Sequence, residues 1–317
     1  MLAKLAEAIW TTKIAMPPAS RTLRSSVLTA LLGGLVDYAG LFPPAKLPME
    51  AAVEHYAGCA NGEFNWMLGR FIVPVGRLAE FETAVVSPSV QRSKWSLSAL
   101  LGSDAAADIK QVLSFTQKHD PSISISSIEL KVGTPADIFG AHPLIPDDLA
   151  AFFEIPFSAD VQGCILALKE TAHNAKIRTG GETPEMIPPS ASVAEFIFQC
   201  ARAGVAFKAT AGLHHPIRSV HRLTYATDSL SATMHGFLNV FLAAAFLYNR
   251  TIDVDEATDL LNEDSPQAFL IDSESIGWRG YSLSREQIAS ARKNCSLSFG
   301  SCSFSEPVED LQGLSLL

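Results

Sequence analysis

Seven short apolar runs, all but the fourth leading towards a stretch with the period of an amphipathic helix, restrict most strongly what this chain of 317 residues can fold into. The runs fall at residues 35–40, 66–73, 95–101, 123–132 and 151–156, with a sixth ending at Lys176-Ile177-Arg178 and a seventh at Phe207-Lys208-Ala209-Thr210. Residues 49–59 carry Ala52, Val53, Tyr56 and Ala57 on one helical face. Residues 193–204 carry Val193, Phe196, Ile197, Cys200 and Ala203 and stop at Gly204. Further helices are expected over 26–32, 77–86, 105–118 and 161–172. A helix between two strands returns the chain to the same end of the sheet, so the pattern predicts parallel strands. A closed (β/α)8 TIM barrel and an open doubly wound sheet share that pattern. Two features favour the barrel: no Gly-x-Gly-x-x-Gly follows the first run, and polar residues recur at the ends of nearly every run.

Beyond the seventh run the order is less regular. Residues 233–248, 255–262 and 284–294 are expected to be helical. The eighth strand is either 268–272 or the segment 298–307, and the sequence does not choose between them. A turn is expected at Gly133-Thr134-Pro135. The expected organisation is an N-terminal extension over residues 1–24, a single barrel domain over 25–317, and extra elements near the C-terminus. The extension carries Lys4, Lys13, Arg21 and Arg24 against Glu7 but no continuous apolar core of a signal peptide.

Hydrophobic residues make up 48% of the chain and charged residues only 18%, with mean hydropathy +0.19, so a large share of it must be interior. The longest apolar stretch, 236–248, is shorter than the roughly 20 residues that span a bilayer and is expected to be a buried helix, with no membrane partner. Net charge is −9, and no Lys/Arg block is interleaved with aromatics, which argues against nucleic acid as a partner. The five cysteines form no Cys-x-x-Cys pair, so neither a disulfide framework nor a thiolate zinc site is indicated, and a reducing cytoplasm is the expected compartment. A homo-oligomer is left open.

Strand alternation puts Lys176 and Arg178 on one face of the sixth run and Lys208 and Thr210 on one face of the seventh. Cations crowded together favour loss of a proton, and a neutral lysine amine is the nucleophile that forms a Schiff base with a carbonyl. Thr179-Gly180-Gly181 follows the one run and Ala211-Gly212 the other, leaving backbone N–H groups able to receive an anion. The equally weighted alternative is that these lysines only hold an anion or pair with Glu154.

These two segments resemble the corresponding strands of class I deoxyribose-phosphate aldolases, in which a lysine before a Thr/Gly-rich turn ends strand six and a second lysine before Gly-Gly ends strand seven. The resemblance implies a barrel in which Lys176 forms the Schiff base and Lys208 tunes it. It covers residues 176–216 only, and it departs at Arg178, which interrupts the small residues, and at Leu213-His214-His215, which stands where a second glycine is expected. The stretch 207–216 also resembles a bacterial barrel family with no assigned activity, which carries no function across.

Among the acids, Glu154 is the candidate general base and Asp37 a second one. Glu129, in an otherwise apolar run, needs a buried partner, with Lys176 or Arg178 nearest by strand order. Arg70 and Arg178 suit the anionic part of a substrate. His214 and His215 should face opposite ways, and His235 lies one helical turn from Asn239. Cys302 is expected to be a buried thiol. The expected function is lyase or aldolase chemistry on a small anionic carbonyl metabolite. Catalysis is assigned to Lys176, Lys208, Glu154 and Asp37. Substrate binding is assigned to Arg178, Arg70, Thr179, Gly180, Gly181, Thr210, Gly212, His214, His215 and His235. No metal and no cofactor are required. The alternatives are a metal-dependent isomerase or hydrolase, with the histidines and carboxylates holding a divalent cation, and a non-catalytic ligand-binding barrel.

Overall fold

The computed structural model describes residues 27–87, 90, 94–119 and 121–317. The expected extension over residues 1–24 lies outside them. Helix α1 (Val27–Leu32) precedes β1 (Val36–Tyr38), and strands then alternate with helices. The series is α2 (Met49–Asn61), β2 (Leu68–Pro74), α3 (Leu78–Ala84), β3 (Trp95–Leu100), α4 (Ala105–His119), β4 (Ile123–Lys131), α5 (Pro135–Ala141), β5 (Ala150–Glu154), α6 (Val161–Glu170), β6 (Asn174–Arg178), α7 (Ser190–Ala203) and β7 (Phe207–Thr210). A hairpin of β8 (Ser219–Arg222) and β9 (Ser231–Met234) follows, then α8 (Phe237–Tyr248) and α9 (Val254–Asn262). An antiparallel sheet of β10 (Phe269–Ile271), β11 (Ser275–Trp278) and β12 (Tyr281–Ser284) comes next, and the chain ends with α10 (Arg285–Asn294), β13 (Ser296–Ser301) and α11 (Ser305–Gly313).

Eight of these strands close into a parallel barrel in the order β1-β13-β7-β6-β5-β4-β3-β2, a (β/α)8 TIM barrel. The closing strand is β13. A barrel strand is covered on both faces, and β13 is buried along nearly its whole length, whereas Leu270 of β10 is 68% exposed. The segment 268–272 therefore belongs to the outlying sheet.

Helix caps explain where several elements begin. Thr134 and Asp137 form a capping box that starts α5, so the expected turn at Gly133-Thr134-Pro135 is the entry to a helix. Helix α7 stops, as expected, at Gly204, which takes φ +73. The helix expected over 233–248 begins only at Phe237, because residues 231–234 pair in β9. All of α8 except Tyr248 is buried. Its Phe237 and Phe241 rings meet Phe299 of β13 at centroid distances of 5.3 and 5.9 Å. The apolar stretch is thus core, and among the described residues no helix is long and apolar enough to cross a membrane.

Outside β1–β3, the rings of Tyr38, Tyr56, Phe71, Phe81 and Trp95 interlock beneath α2 and α3. Inside the barrel the composition is different. Branched aliphatic side chains ordinarily fill such an interior, yet here Asp37, Ser98, Ser127, Glu129, Glu154, Lys176, Lys208 and Ser298 are all buried. Burying so many polar groups is costly unless each is paired, which directs attention to how they are paired.

Candidate active site

The barrel register supplies the pairing. Lys176 lies beside Lys208 across β6 and β7, Glu154 beside Lys176 across β5 and β6, and Lys131 beside Glu154 across β4 and β5. Carboxylates and ammoniums alternate in one chain. Asp37 Oδ2 accepts from Lys208 Nζ at 2.7 Å, and Lys208 Nζ also donates to Glu129 Oε1 at 2.7 Å. Glu129 Oε2 lies 2.9 Å from Lys176 Nζ, which lies 2.7 Å from Glu154 Oε2. Arg178 Nε then donates to Glu154 Oε1 at 3.3 Å. Three acids meet these three cations, and Arg70 Nη1 adds a fourth positive group 3.8 Å from Asp37 Oδ2. Hydroxyls complete it: Ser298 Oγ donates to Asp37 Oδ2 and Ser98 Oγ to Glu129 Oε1, each at 2.7 Å.

This arrangement corrects one sequence expectation. The lysines do not crowd each other bare, because Glu129 stands between their ammoniums. Burial works against the charge on Lys176, but the attraction of Glu129 and Glu154 outweighs it and holds Lys176 above its ordinary pKa. Burial likewise opposes the charge on Glu129, and Lys176 with Lys208 overcomes it, keeping Glu129 well below the usual carboxylate range. Glu154 is lowered as well: burial opposes its charge, and Lys176 followed by Arg178 prevails.

Above the chain, at the C-terminal ends of the strands, opens a cavity of about 270 Å³, close to the lower end of the ~300–1,000 Å³ of small-molecule sites. Lys176, Glu154, Arg178, Lys131, Thr210, Gly181, Gly212 and His214 line it, with apolar walls from Phe42, Ile72, Leu100, Met186, Leu223 and Met234. Position separates the two lysines. The Lys208 side chain is 0% exposed and lies beneath the floor, 5.4 Å from the Phe152 ring centroid, while Lys176 reaches the cavity. Asp37 is sealed with Lys208. Its Oδ1 accepts from the Arg70 backbone N–H at 2.7 Å, so both of its oxygens are engaged.

Several predicted residues stand elsewhere. Arg70 does not line the cavity: its Nε donates to Ser126 Oγ at 3.0 Å, towards the N-terminal ends of β3 and β4. His235 bonds Pro188 O through Nε2 at 2.8 Å and precedes α8, so it shares no helical face with Asn239. Asn239 is a structural tie to Arg218 N, Leu260 O and Glu263 O. His215 is turned away from the cavity, its Nδ1 2.6 Å from Asp310 Oδ2 and its ring stacked on His221. Thr179 is buried and bonds Ala211 O at 2.6 Å, tying the end of β6 to that of β7. Gly180 and Gly212 are small because two backbones meet: a Cβ on Gly180 would lie 2.9 Å from Gly212 Cα, and Gly212 has φ +76. Of these two, only Gly212 borders the cavity. Cys302 lines the mouth as a thiol whose pKa is raised, chiefly by burial.

Two residues outside the predicted set belong to the site. Glu129 is the hinge between the lysines, and only its placement as an acid within an apolar run signalled it. Lys131 lines the cavity and makes no hydrogen bond or ion pair with any described residue. Its signal was its spacing of two from Glu129, which places both on one face of β4. Among the described residues no three His, Cys, Asp or Glu side chains are grouped to hold a metal ion, since the carboxylates of the barrel are taken up by lysines and arginine. No protein-family model matches the chain, and no curated protein matches it in sequence.

Proposed function

We propose that the protein is a lyase of the aldolase type that forms a Schiff base between Lys176 and a small carbonyl compound carrying a negative charge. The observation that carries this is the buried lysine at the floor of the cavity, held between two carboxylates with a second lysine sealed behind it. A lysine needed only to bind an anion gains nothing from two carboxylates, which cancel its charge. A lysine that must give up and regain a proton gains an acceptor at 2.7 Å.

When a carbonyl enters, Glu154 Oε2 takes a proton from Lys176 Nζ, and the freed amine attacks the carbonyl carbon. Loss of water leaves an iminium, which withdraws electrons from the adjoining carbon–carbon bond. Lys208 keeps the Glu129 carboxylate compensated while Lys176 changes its charge. Arg178 gives only its Nε to Glu154, and with unpaired Lys131 it supplies the positive side of the cavity that receives the anion.

Borohydride reduction in the presence of a panel of aldehydes and keto acids tests the proposal. A stable, stoichiometric mass increment on the protein is expected with at least one panel member and is expected to vanish in Lys176→Ala. Saturable binding of panel members without any increment would oppose it and favour a ligand-binding barrel.

A further inference from the structure

The Schiff base leaves a second proton without a carrier. Cleaving a carbon–carbon bond beside an iminium requires a base for the substrate's hydroxyl, and the acids of the barrel floor are poorly placed for it. Asp37 and Glu129 are sealed beneath the cavity, and Glu154 has one oxygen on Lys176 and the other on Arg178.

Across the mouth stands His214, four residues beyond the end of β7 and beside the end of β13. Its Nδ1 lies 3.1 Å from Glu306 Oε2 on α11 and 3.3 Å from Ser301 Oγ. The carboxylate accepts the Nδ1 proton and so leaves Nε2 as the basic nitrogen of the neutral ring. That nitrogen bonds to no described residue. The buried side-chain nitrogen and oxygen atoms without a partner among the described residues are Gln199 Oε1, His235 Nδ1 and Ser296 Oγ. His214 Nε2 is not one of them, so it is not sealed off, and the His214 side chain lines the same cavity as Lys176.

The surroundings fix the ring from several sides. Glu306 and Asp310 lie one helical turn apart on α11 and receive the consecutive His214 and His215. His221 stacks on His215 with centroids 3.3 Å apart, and Tyr225 and Cys302 close the group near Glu306. Burial opposes the charge of Glu306, but its hydrogen bond with His214 keeps its carboxyl below the ordinary range.

We infer that His214, oriented by Glu306, is the general acid–base that moves the substrate's proton above Lys176, an inference resting on the Schiff-base function proposed above. With the carbonyl carbon joined to Lys176 Nζ as an iminium, His214 Nε2 takes the proton of the β-hydroxyl. The carbon–carbon bond breaks, its electron pair passes into the iminium to give an enamine, and the hydroxyl-bearing carbon leaves as an aldehyde. The proton on Nε2 then goes to the enamine carbon and restores the iminium, which water hydrolyses to free the second carbonyl product and Lys176.

The enamine step can be followed without the natural substrate. Pyruvate and propanal serve as probes, and wash-in of deuterium beside their carbonyl groups is read by proton NMR in D2O, in parallel with borohydride labelling of Lys176. Wild-type protein is expected to label and to exchange. His214→Asn is expected to label equally and to exchange about 100-fold more slowly, the lower end of what a general base contributes. Glu306→Gln is expected to label equally, slow exchange to a smaller degree, and shift the pH profile of exchange. Equal labelling and equal exchange in wild type and His214→Asn would overturn the role of His214 while leaving the Schiff base standing. Labelling without exchange in the wild type would overturn it too. Failure of both probes to label Lys176 would instead overturn the Schiff-base function, and the role of His214 with it.

Discussion

Glu154 divides its carboxylate between two cations: Oε2 lies 2.7 Å from Lys176 Nζ, and Oε1 accepts from Arg178 Nε at 3.3 Å. One acid thereby joins the reactive end of the site to its anion-binding side. When Glu154 takes a proton from Lys176, its hold on Arg178 weakens, and the guanidinium becomes freer to meet an incoming anion.

Replacing Arg178 with Met should therefore affect charged carbonyl compounds selectively. The concentration of succinic semialdehyde giving half-maximal borohydride labelling should rise about tenfold, the loss of one charged hydrogen bond. Butanal, which lacks the carboxylate, should change by less than about twofold, within the small shifts expected where no charge is contacted. Labelling kinetics with the two aldehydes compare the effects directly, and equal changes for both would count against an anion at this position.

Stability should fall at both extremes of pH. Glu129 and Glu154 have folded pKa values below the ordinary ~4.3, so their contribution is present above that pH and lost as pH falls below it. Lys176 is raised above its ordinary ~10.4, so its contribution is complete below that pH and is lost as pH rises through the folded value. Urea midpoints measured across pH check the sign of both arms. A midpoint that rises on acidification below pH 4 would contradict the paired carboxylates.

Lys208→Met removes the ammonium shared by Asp37 and Glu129 and leaves two buried carboxylates one cation short, Glu129 with Lys176 and Asp37 with Arg70 Nη1 at 3.8 Å. The expected cost is about 3–5 kcal/mol in urea unfolding. The double variant Lys208→Met with Asp37→Asn should cost less than the sum of the two single changes, since the second relieves what the first exposes. Strict additivity would show that the two side chains act independently.

Gly212→Ala should destabilise by about 1–3 kcal/mol, the range for a strained left-handed residue. Its φ of +76 and the Gly180 Cα only 2.9 Å from the added Cβ leave no easy relaxation. Gly204→Ala, at the open end of α7, meets nothing within 4 Å and should be the milder of the two. Thermal unfolding of both variants compares them.

Much of this architecture was legible because its determinants are local. Two-residue alternation placed Lys176, Arg178, Lys208 and Thr210 on one face, and the barrel register confirms their side-by-side arrangement. The closing strand was ambiguous because β13 reads Ser-Leu-Ser-Phe-Gly-Ser, with hydroxyls where a buried strand usually has aliphatic residues; those of Ser298 and Ser301 serve Asp37 and His214. The hairpin of β8 and β9 is short and polar, and only His235-Gly236 separates Met234 from the apolar run of α8, so its boundary was hard to see in periodicity. The partners of the buried charges were the least accessible. Lys208 meets Glu129 across 79 residues and Asp37 across 171, separations that only barrel closure brings together. The expectation of a deprotonated lysine failed for that reason: cations were visible along the strands, while the carboxylates between them come from other strands.

The most direct test is tandem mass spectrometry of the borohydride-reduced adduct formed with a labelling aldehyde or keto acid. Lys176 should carry the added mass in the peptide containing residues 174–178, with Lys208, sealed beneath the cavity, unmodified. Modification at Lys208 with Lys176 intact would contradict the assignment of the nucleophile.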